Sequence, residues 1–192
     1  MKLMIRLSNV SLSPCTGTSV KGVGKIASAS VILGRLRAVV KNSTLGNCTI
    51  ENFSEDHMDQ VYAIELYSNP TPWSEKIFHK IIESRSLSFV IKLEDRVIGF
   101  CMANRVLDEC HLQNITVAKE YRRQGLGEFM MDILIKRMRL ADLNSVLLEV
   151  RKSNHVAKSF YEKLDFERLS ERKDYYKTDN GKENAIIMHR IL

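Results

Sequence analysis

The chain has 192 residues, of which 44% are hydrophobic and 27% are charged, and its formal net charge is +6. This length can bury a sizeable core within one domain, and no run of 18 apolar residues predicts a membrane-spanning helix. Residues 1–48 hold seven of the 29 basic residues and none of the 23 acidic ones, which leaves the remainder close to neutral. The composition therefore does not predict a nucleic-acid-binding domain.

The first 46 residues differ in composition from the rest of the chain. They are basic, rich in serine and threonine and free of acids, which is typical of an organellar transit peptide. An upstream start codon or a functional basic arm are the other interpretations, and the segment 26–40 could form a short amphipathic helix. We expect residues 1–46 to be a disordered extension and the protein to be cytoplasmic, with an organelle as the alternative if the segment is a targeting signal.

Regular hydrophobic patterns begin at residue 48. A strand is predicted over 48–53, and Ser54 is a good N-cap for a helix that ends near Tyr67. The later predicted elements are a helix over 74–84, strands over 87–93, 97–105 and 111–117, a helix over 125–141, a strand over 144–150, a helix over 153–164, and strands over 166–175 and 185–191. The order βααβββαβαββ predicts an α/β fold of the mixed α+β kind, with a mostly antiparallel central sheet flanked by helices.

The four cysteines, Cys15, Cys48, Cys101 and Cys110, are scattered along the chain. Their spacing matches no metal site, so no metal is expected. Cys101 and Cys110 lie in strand-like runs and are interpreted as small core residues.

The segment Arg122–Gly127 (Arg-Arg-Gln-Gly-Leu-Gly) carries the first functional signal. It joins the apolar run Leu112–Val117 to the helical pattern that follows. A glycine turn between a strand and a helix is typical of phosphate binding, because the N–H groups and dipole at a helix N-terminus face the anion. A plain tight turn is the alternative, and the three-glycine dinucleotide fingerprint is absent.

Further motifs follow the glycine turn at fixed distances, namely Leu147–Arg151, Asn154 and the segment Ser159–Phe166, which contains Tyr161. With them the chain resembles the GNAT family of acetyl-CoA-dependent N-acetyltransferases. It is most similar to the RimI branch, which acetylates the N-terminal alanine of a small-subunit ribosomal protein, number eighteen. The other matching stretches are 72–76, 106–109, 114–115, 174–176 and 185–188. The resemblance covers about residues 47–192, which would form the acetyltransferase domain.

The resemblance implies acetyl-CoA as co-substrate and a GNAT fold in which two neighbouring central strands splay apart around the pantetheine arm. The backbone of the glycine turn would hold the pyrophosphate, a strand edge would bind the acetyl-pantetheine, and an asparagine would contact the cofactor. For Asn154 the alternative is simple capping of a helix, and for the arginines of the turn it is solvated loop charge. The implied cofactor-binding residues are Ile115, Thr116, Val117, Arg123, Gln124, Gly125, Leu126, Gly127, Glu128 and Asn154.

The resemblance implies two catalytic residues, Glu149 as the general base and Tyr161 as the general acid. Glu149 is the only charge in the apolar run 146–150, and burial would raise its pKa toward the range of a general base. A structural ion pair with Arg151 or a neighbouring strand is the alternative. By the resemblance Tyr161 protonates the departing thiolate, and the alternative is a core aromatic residue beside Phe160.

The acceptor implied by the resemblance is the N-terminal α-amine of a ribosomal protein. An α-amine has a pKa of about 8 and lysine about 10.4, so deprotonating lysine costs roughly 3 kcal/mol more, and one modest base suits the α-amine. Another acceptor, or a non-catalytic acyl-CoA-binding or ribosome-associated module, are the alternatives. No nucleic acid or membrane is expected as a partner. Asp165 and Lys177 depart from the family pattern, which has glycine and proline there; Asp165 is expected in a left-handed conformation.

Overall fold

The computed structural model describes residues 36–39, 47–84, 86–178 and 181–192. Within these residues, eight strands form one sheet that is flanked by four α-helices. The strands are β1 (Leu36–Val39), β2 (Asn47–Asn52), β3 (Phe89–Leu93), β4 (Arg96–Val106), β5 (Glu109–Val117), β6 (Ser145–Arg151), β7 (Glu167–Thr178) and β8 (Gly181–Ile191). The helices are α1 (Met58–Ser68), α2 (Glu75–Glu83), α3 (Leu126–Leu140) and α4 (His155–Glu162).

The strand order across the sheet is β1-β2-β3-β4-β5-β6-β8-β7. Every neighbouring pair is antiparallel except β5 and β6, which run parallel because α3 crosses between them. The predicted mixed, mostly antiparallel sheet is confirmed, and each predicted helix and strand from residue 48 onward is present within a few residues of its expected bounds.

Strand β1 was not predicted. Leu36–Val39 pairs antiparallel with β2, with Leu36 opposite Ile50. The hypothesis of a helix over 26–40 is therefore wrong for residues 36–39, because the edge of β2 offers backbone hydrogen-bond partners that a local sequence pattern cannot reveal. The rest of the segment 1–46 lies outside the described residues.

The helices cover opposite faces of the sheet. Alternation along β3 shows this division: Phe89 and Ile91 pack into the cluster that contains α3 and α4, whereas Val90 packs into the cluster that contains α1 and α2. A period of two along a strand places successive side chains on opposite faces, so one strand serves both clusters. The prediction that Cys101 and Cys110 are core residues is confirmed, since both are fully buried.

The parallel pairing of β5 with β6 ends early. Its last matched residues are Leu112 and Leu148, although β5 continues to Val117 and β6 to Arg151. On its other side β5 pairs with β4 through a bulge at Gln113, because Asn114 and Leu112 face consecutive residues of β4. The two strands therefore diverge into a wedge, which is the splay that the resemblance implied.

Candidate active site

A pocket of about 530 Å³ opens beside this wedge, between the end of β5, the glycine turn and α4. Seven of the ten residues predicted to hold the cofactor line it: Ile115, Val117, Arg123, Gly125, Leu126, Gly127 and Glu128. The structure thus brings the strand edge and the glycine turn together around one cavity.

The side chains of the other three predicted residues make local contacts. The hydroxyl of Thr116 donates to Asn114 Oδ1 at 2.9 Å, and Gln124 Nε2 donates to the carbonyl of Glu120 at 3.0 Å. Asn154 caps α4, accepting a hydrogen bond from the N–H of Ala157 at 3.1 Å. The capping interaction is therefore present, and contact of Asn154 with the cofactor stays a prediction.

The backbone of the glycine turn has the shape of an anion cradle. Arg123 and Gly125 both adopt positive φ angles, 64° and 80°. The first helical hydrogen bond of α3 runs from Phe129 N to Gly125 O, so the N–H groups of the three intervening residues remain available at the positive end of the helix dipole. This arrangement suits a diphosphate at the mouth of the pocket.

The side chain of Arg122, unlike the backbone of the turn that follows it, makes structural hydrogen bonds. Its Nε donates to the carbonyl of Val117 at 2.9 Å, and its Nη2 donates to Ser68 Oγ at 2.7 Å. The side chain therefore ties the glycine turn to the end of β5 and the end of α1, which holds the turn in place.

Sequence reasoning missed the α4 side of the pocket. His155, Ser159 and Lys163 line it together with Phe160, and Tyr121 contributes from the 3₁₀ turn before the glycine segment. The spacing of four residues between His155, Ser159 and Lys163 places them on one side of a helix, which is the signal that could have found them.

Glu149 lies on β6, one residue beyond the last pairing with β5, and its side chain is fully buried. Its Oε1 forms an ion pair with Nη1 of Arg172 on β7, whereas Oε2 has no hydrogen-bond partner among the described residues. Burial raises the pKa of the carboxyl, outweighing the lowering by Tyr175, Arg172 and His111. An ion pair is thus present, as the alternative predicted, but its partner Arg172 lies two strands away on β7 and is neither Arg151 nor a residue of an adjacent strand.

Tyr161 lies on α4 and is also fully buried, with Phe160 and Phe166 against its ring. Its hydroxyl has no hydrogen-bond partner among the described residues. Burial raises the pKa of this phenol well above its usual value, helped by Cys101 and Tyr176. Tyr161 is thus a protonated donor without an acceptor.

The buried thiols do not offer a nucleophile. Burial raises the pKa of Cys110 to about 12 and also raises the pKa of Cys101. Both thiols therefore stay protonated at neutral pH, where only a thiolate would attack a thioester. Among the described residues, no group of three or more histidine, cysteine and acidic side chains is arranged to hold a metal ion, and no helix is long and apolar enough to cross a membrane.

Two polar networks hold the α1–α2 loop. Glu65 on α1 is fully buried, and its carboxylate accepts hydrogen bonds from Asn69 Nδ2 at 2.7 Å, from the N–H of Trp73 at 3.0 Å and from Asn114 Nδ2 at 3.1 Å. These bonds fix the α1–α2 loop against β5. Sequence reasoning missed this residue, because nothing distinguishes it from the other acids of an amphipathic helix.

The second network is centred on Arg151. Its guanidinium donates to Glu183 Oε2 and to Thr71 Oγ1, both at 3.1 Å, and to the carbonyl of Lys177 at 3.3 Å. It also lies over the ring of Tyr176, whose hydroxyl donates to the carbonyl oxygen of Glu149. Arg151 thereby joins the α1–α2 loop to the β7–β8 hairpin on the open side of the wedge.

The comparison with known proteins decides the family. The acetyltransferase (GNAT) family model matches residues 50–166. The chain belongs to the GNAT acetyltransferase family. It is 37% identical over 140 residues to the [ribosomal protein bS18]-alanine N-acetyltransferase of Escherichia coli K12, covering 73% of this chain and 95% of the relative.

Two solved structures agree with this assignment. The ribosomal-protein-S18-alanine N-acetyltransferase from Escherichia coli superimposes with a TM-score of 0.71 at 36% identity, over 75% of this chain and 93% of that one. Ard1 from Thermoplasma volcanium gives a TM-score of 0.70 at 28% identity, over 76% and 97% of the two chains. As a GNAT enzyme, the protein is an acetyltransferase that uses acetyl-CoA as co-substrate, and the pocket beside the wedge offers a diphosphate cradle and an apolar strand edge for it.

Proposed function

We propose that this GNAT enzyme transfers the acetyl group of acetyl-CoA to the N-terminal α-amine, an alanine, of a small-subunit ribosomal protein. The observation that carries the proposal is the 37% identity to an enzyme named for that reaction, spread over 95% of that enzyme's length. The acetyltransferase domain is proposed to span residues 47–192.

The geometry supports a direct attack of the amine on the thioester. The thiols at the core, Cys101 and Cys110, are protonated and buried, which disfavours an acetyl-cysteine intermediate. Acetyl-CoA would lie along the edge of β5 with its diphosphate on the residues 123–128. The acceptor would approach through the open side of the wedge, between the α1–α2 loop and the β7–β8 hairpin.

Glu149 is the general base of this proposal. The acceptor amine must lose a proton to become a nucleophile, and a carboxylate with a raised pKa at the end of the wedge can receive it. The unpartnered Oε2 supports this role, because a buried carboxylate oxygen with no donor is costly unless it serves a ligand.

Tyr161 is the general acid. As the nitrogen attacks the carbonyl carbon, the carbon–sulfur bond breaks and the departing thiolate takes the phenolic proton. The phenol is buried, protonated and without a hydrogen-bond partner among the described residues, which suits a donor that acts only when the thiolate forms. Ile115, Thr116 and Val117 would position the acetyl-pantetheine through their backbone.

The acceptor is tested by thiol release from acetyl-CoA with a peptide that carries the N-terminus of ribosomal protein bS18. We expect turnover with the free N-terminal alanine and none with the same peptide already acetylated at that alanine. A third peptide with a blocked N-terminus and a free lysine reports on side-chain acetylation. Turnover only with the third peptide, or with none of the three, would contradict the proposed acceptor.

A further inference from the structure

The ion pair between Glu149 and Arg172 joins two residues of very different exposure. The Glu149 side chain is fully buried, whereas the side chain of Arg172 is 51% exposed. The two residues lie on β6 and β7, which are separated by β8. On β8, Ile187 faces Glu149 and Ala185 faces Arg172, so the long arginine side chain reaches diagonally across the intervening strand to the carboxylate.

Arg172 is the cation that neutralises Glu149. Among the described residues it is the only basic group within salt-bridge distance of that carboxylate. Arg151 lies on the same strand as Glu149, but it is engaged with Glu183 and with the α1–α2 loop. Two other residues also lower the pKa of Glu149 by favouring its charged form. Tyr175 on β7 does so through a side-chain hydrogen bond, and His111 on β5 through its charge.

In the proposed reaction, a protonated acceptor amine must reach the Glu149 carboxylate, which Arg172 already occupies. A fully buried carboxylate cannot take a proton from an acceptor until the group covering it moves. Arg172 is the half-exposed member of the pair, and Oε2 beside it has no hydrogen-bond partner among the described residues. An ammonium group that binds Oε2 would lie beside the guanidinium on Oε1, and two cations that close repel each other.

We propose that Arg172 is a displaceable counter-ion, which covers Glu149 before the acceptor binds and leaves when the α-ammonium group of the acceptor takes its place. This inference rests on the proposed function, in which Glu149 accepts the proton of an α-amine. The guanidinium keeps its own protons, while the ammonium passes one proton to the carboxylate and becomes the neutral nucleophile. Arg172 is a positioning residue, since it touches neither the thioester nor the amine.

Displacement of Arg172 would couple acceptor binding to proton transfer to Glu149. While Arg172 is paired, its charge holds the pKa of Glu149 lower than burial alone would set it. When the guanidinium leaves, the α-ammonium group becomes the cation beside the carboxylate, and burial favours transfer of its proton to Glu149. The carboxylate would thus be paired with Arg172 in the resting enzyme and with the acceptor amine once the acceptor is in place.

The test compares Arg172→Gln, which removes the charge, with Arg172→Lys, which keeps a cation. Lys173→Gln is the matched control, because Lys173 is an exposed cation on the same strand. Rates are measured against pH at saturating acetyl-CoA with a short peptide that has a free N-terminal alanine. The profile of kcat/KM reports the enzyme before the peptide binds, and the profile of kcat reports the complex.

For Arg172→Gln we expect the acid limb of kcat/KM to move to higher pH while the acid limb of kcat stays in place. The KM for the peptide should fall by about threefold to tenfold at neutral pH, the range of one partly screened ion pair. Arg172→Lys and Lys173→Gln should both stay close to wild type. If both limbs move together or neither moves, or if the KM rises, the guanidinium is not displaced by the acceptor.

A second measurement separates this inference from the proposed function. The ¹³C shift of the Glu149 carboxyl, assigned with Glu149→Gln, is titrated by NMR in wild type and in Arg172→Gln. A higher pKa of Glu149 in the variant supports the ion pair even if the peptide is not a substrate, and an unchanged pKa overturns it. Normal turnover of Glu149→Gln would instead refute the proposed base.

Discussion

Asn114 on β5 donates a hydrogen bond from Nδ2 to Oε2 of Glu65 on α1 at 3.1 Å, and neither residue has any solvent exposure. Asn114 adjoins the bulge at Gln113 where β5 turns away from β6, so this bond ties the wall of the wedge to the helix that precedes the α1–α2 loop. A single carboxylate thereby fixes both β5, which lines the pocket, and the α1–α2 loop.

Replacing Glu65 by alanine should destabilise the protein and misplace the α1–α2 loop. The change leaves the donors of Asn69, Trp73 and Asn114 without their acceptor, so the free energy of unfolding should fall by about 2–4 kcal/mol. Urea unfolding measures this loss, and Asp59→Asn on the exposed side of α1 is the control. A loss below about 0.5 kcal/mol, the size of an ordinary surface change, would contradict the role of the network.

Gly125 should be essential for binding acetyl-CoA. Its φ of 80° is strained for any residue with a β-carbon, and it lies in the diphosphate cradle, so Gly125→Val should weaken acetyl-CoA binding at least tenfold. Isothermal titration calorimetry gives the affinity. Gly181→Ala is the matched control, because Gly181 also has a positive φ, 131°, but lies on the β7–β8 hairpin away from the pocket. Equal losses in the two variants would mean that strain alone explains the effect.

Glu149→Gln should lower turnover and raise the melting temperature at neutral pH. Turnover at neutral pH should fall by roughly 10²–10⁴, the usual range for a lost general base. The pKa of the carboxyl is raised in the folded protein, so the folded state holds that proton more tightly than the unfolded chain, and wild-type stability falls as pH rises from about 4.3 through the folded-state pKa. Glutamine does not ionise, so the variant lacks this loss of stability. The variant should therefore melt at a higher temperature than wild type at neutral pH, and the difference should vanish below about pH 4. A variant that melts lower at neutral pH would mean that the ion pair with Arg172 stabilises the fold.

Local patterns predicted most of the fold and half of the site. Hydrophobic periodicity is set by which faces are buried, so each helix and strand after residue 47 could be read from it. The lone charge of Glu149 in an apolar strand predicted its burial for the same reason. The partner of Glu149 could not be predicted, because Arg172 reaches it across β8 and that register exists only in the assembled sheet. Glu65 was missed because an acid on a short helix carries no mark of burial.

A chain that begins at Asn47 should fold and keep its activity. Among the described residues the strand Leu36–Val39 pairs only with β2, at the edge of the sheet, and β3 and β4 lie between that edge and the β5 wall of the pocket. Truncation should lower the melting temperature slightly while the affinity for acetyl-CoA and the turnover stay within about twofold of the full chain. A chain that begins at Leu36 keeps β1 and is the control. If the shorter chain fails to fold while the longer one folds, the domain begins at β1 and not at β2.

Tyr161→Phe separates the catalytic interpretation of this residue from the structural one. The phenol makes no hydrogen bond to a described residue, so its removal costs no partner, and the ring contacts with Phe160 and Phe166 survive in phenylalanine. We therefore expect an unchanged or slightly higher melting temperature and an unchanged affinity for acetyl-CoA. If the phenol protonates the thiolate, kcat should fall by about 10²-fold or more, because the proton is needed only as the carbon–sulfur bond breaks.

Tyr176→Phe is the matched control. The Tyr176 hydroxyl donates to the carbonyl of Glu149 at 3.2 Å, so that variant should lose about 1 kcal/mol of stability with a smaller loss of kcat. Steady-state kinetics beside thermal melts of both variants make the distinction, and a normal kcat for Tyr161→Phe would leave Tyr161 as a core aromatic residue.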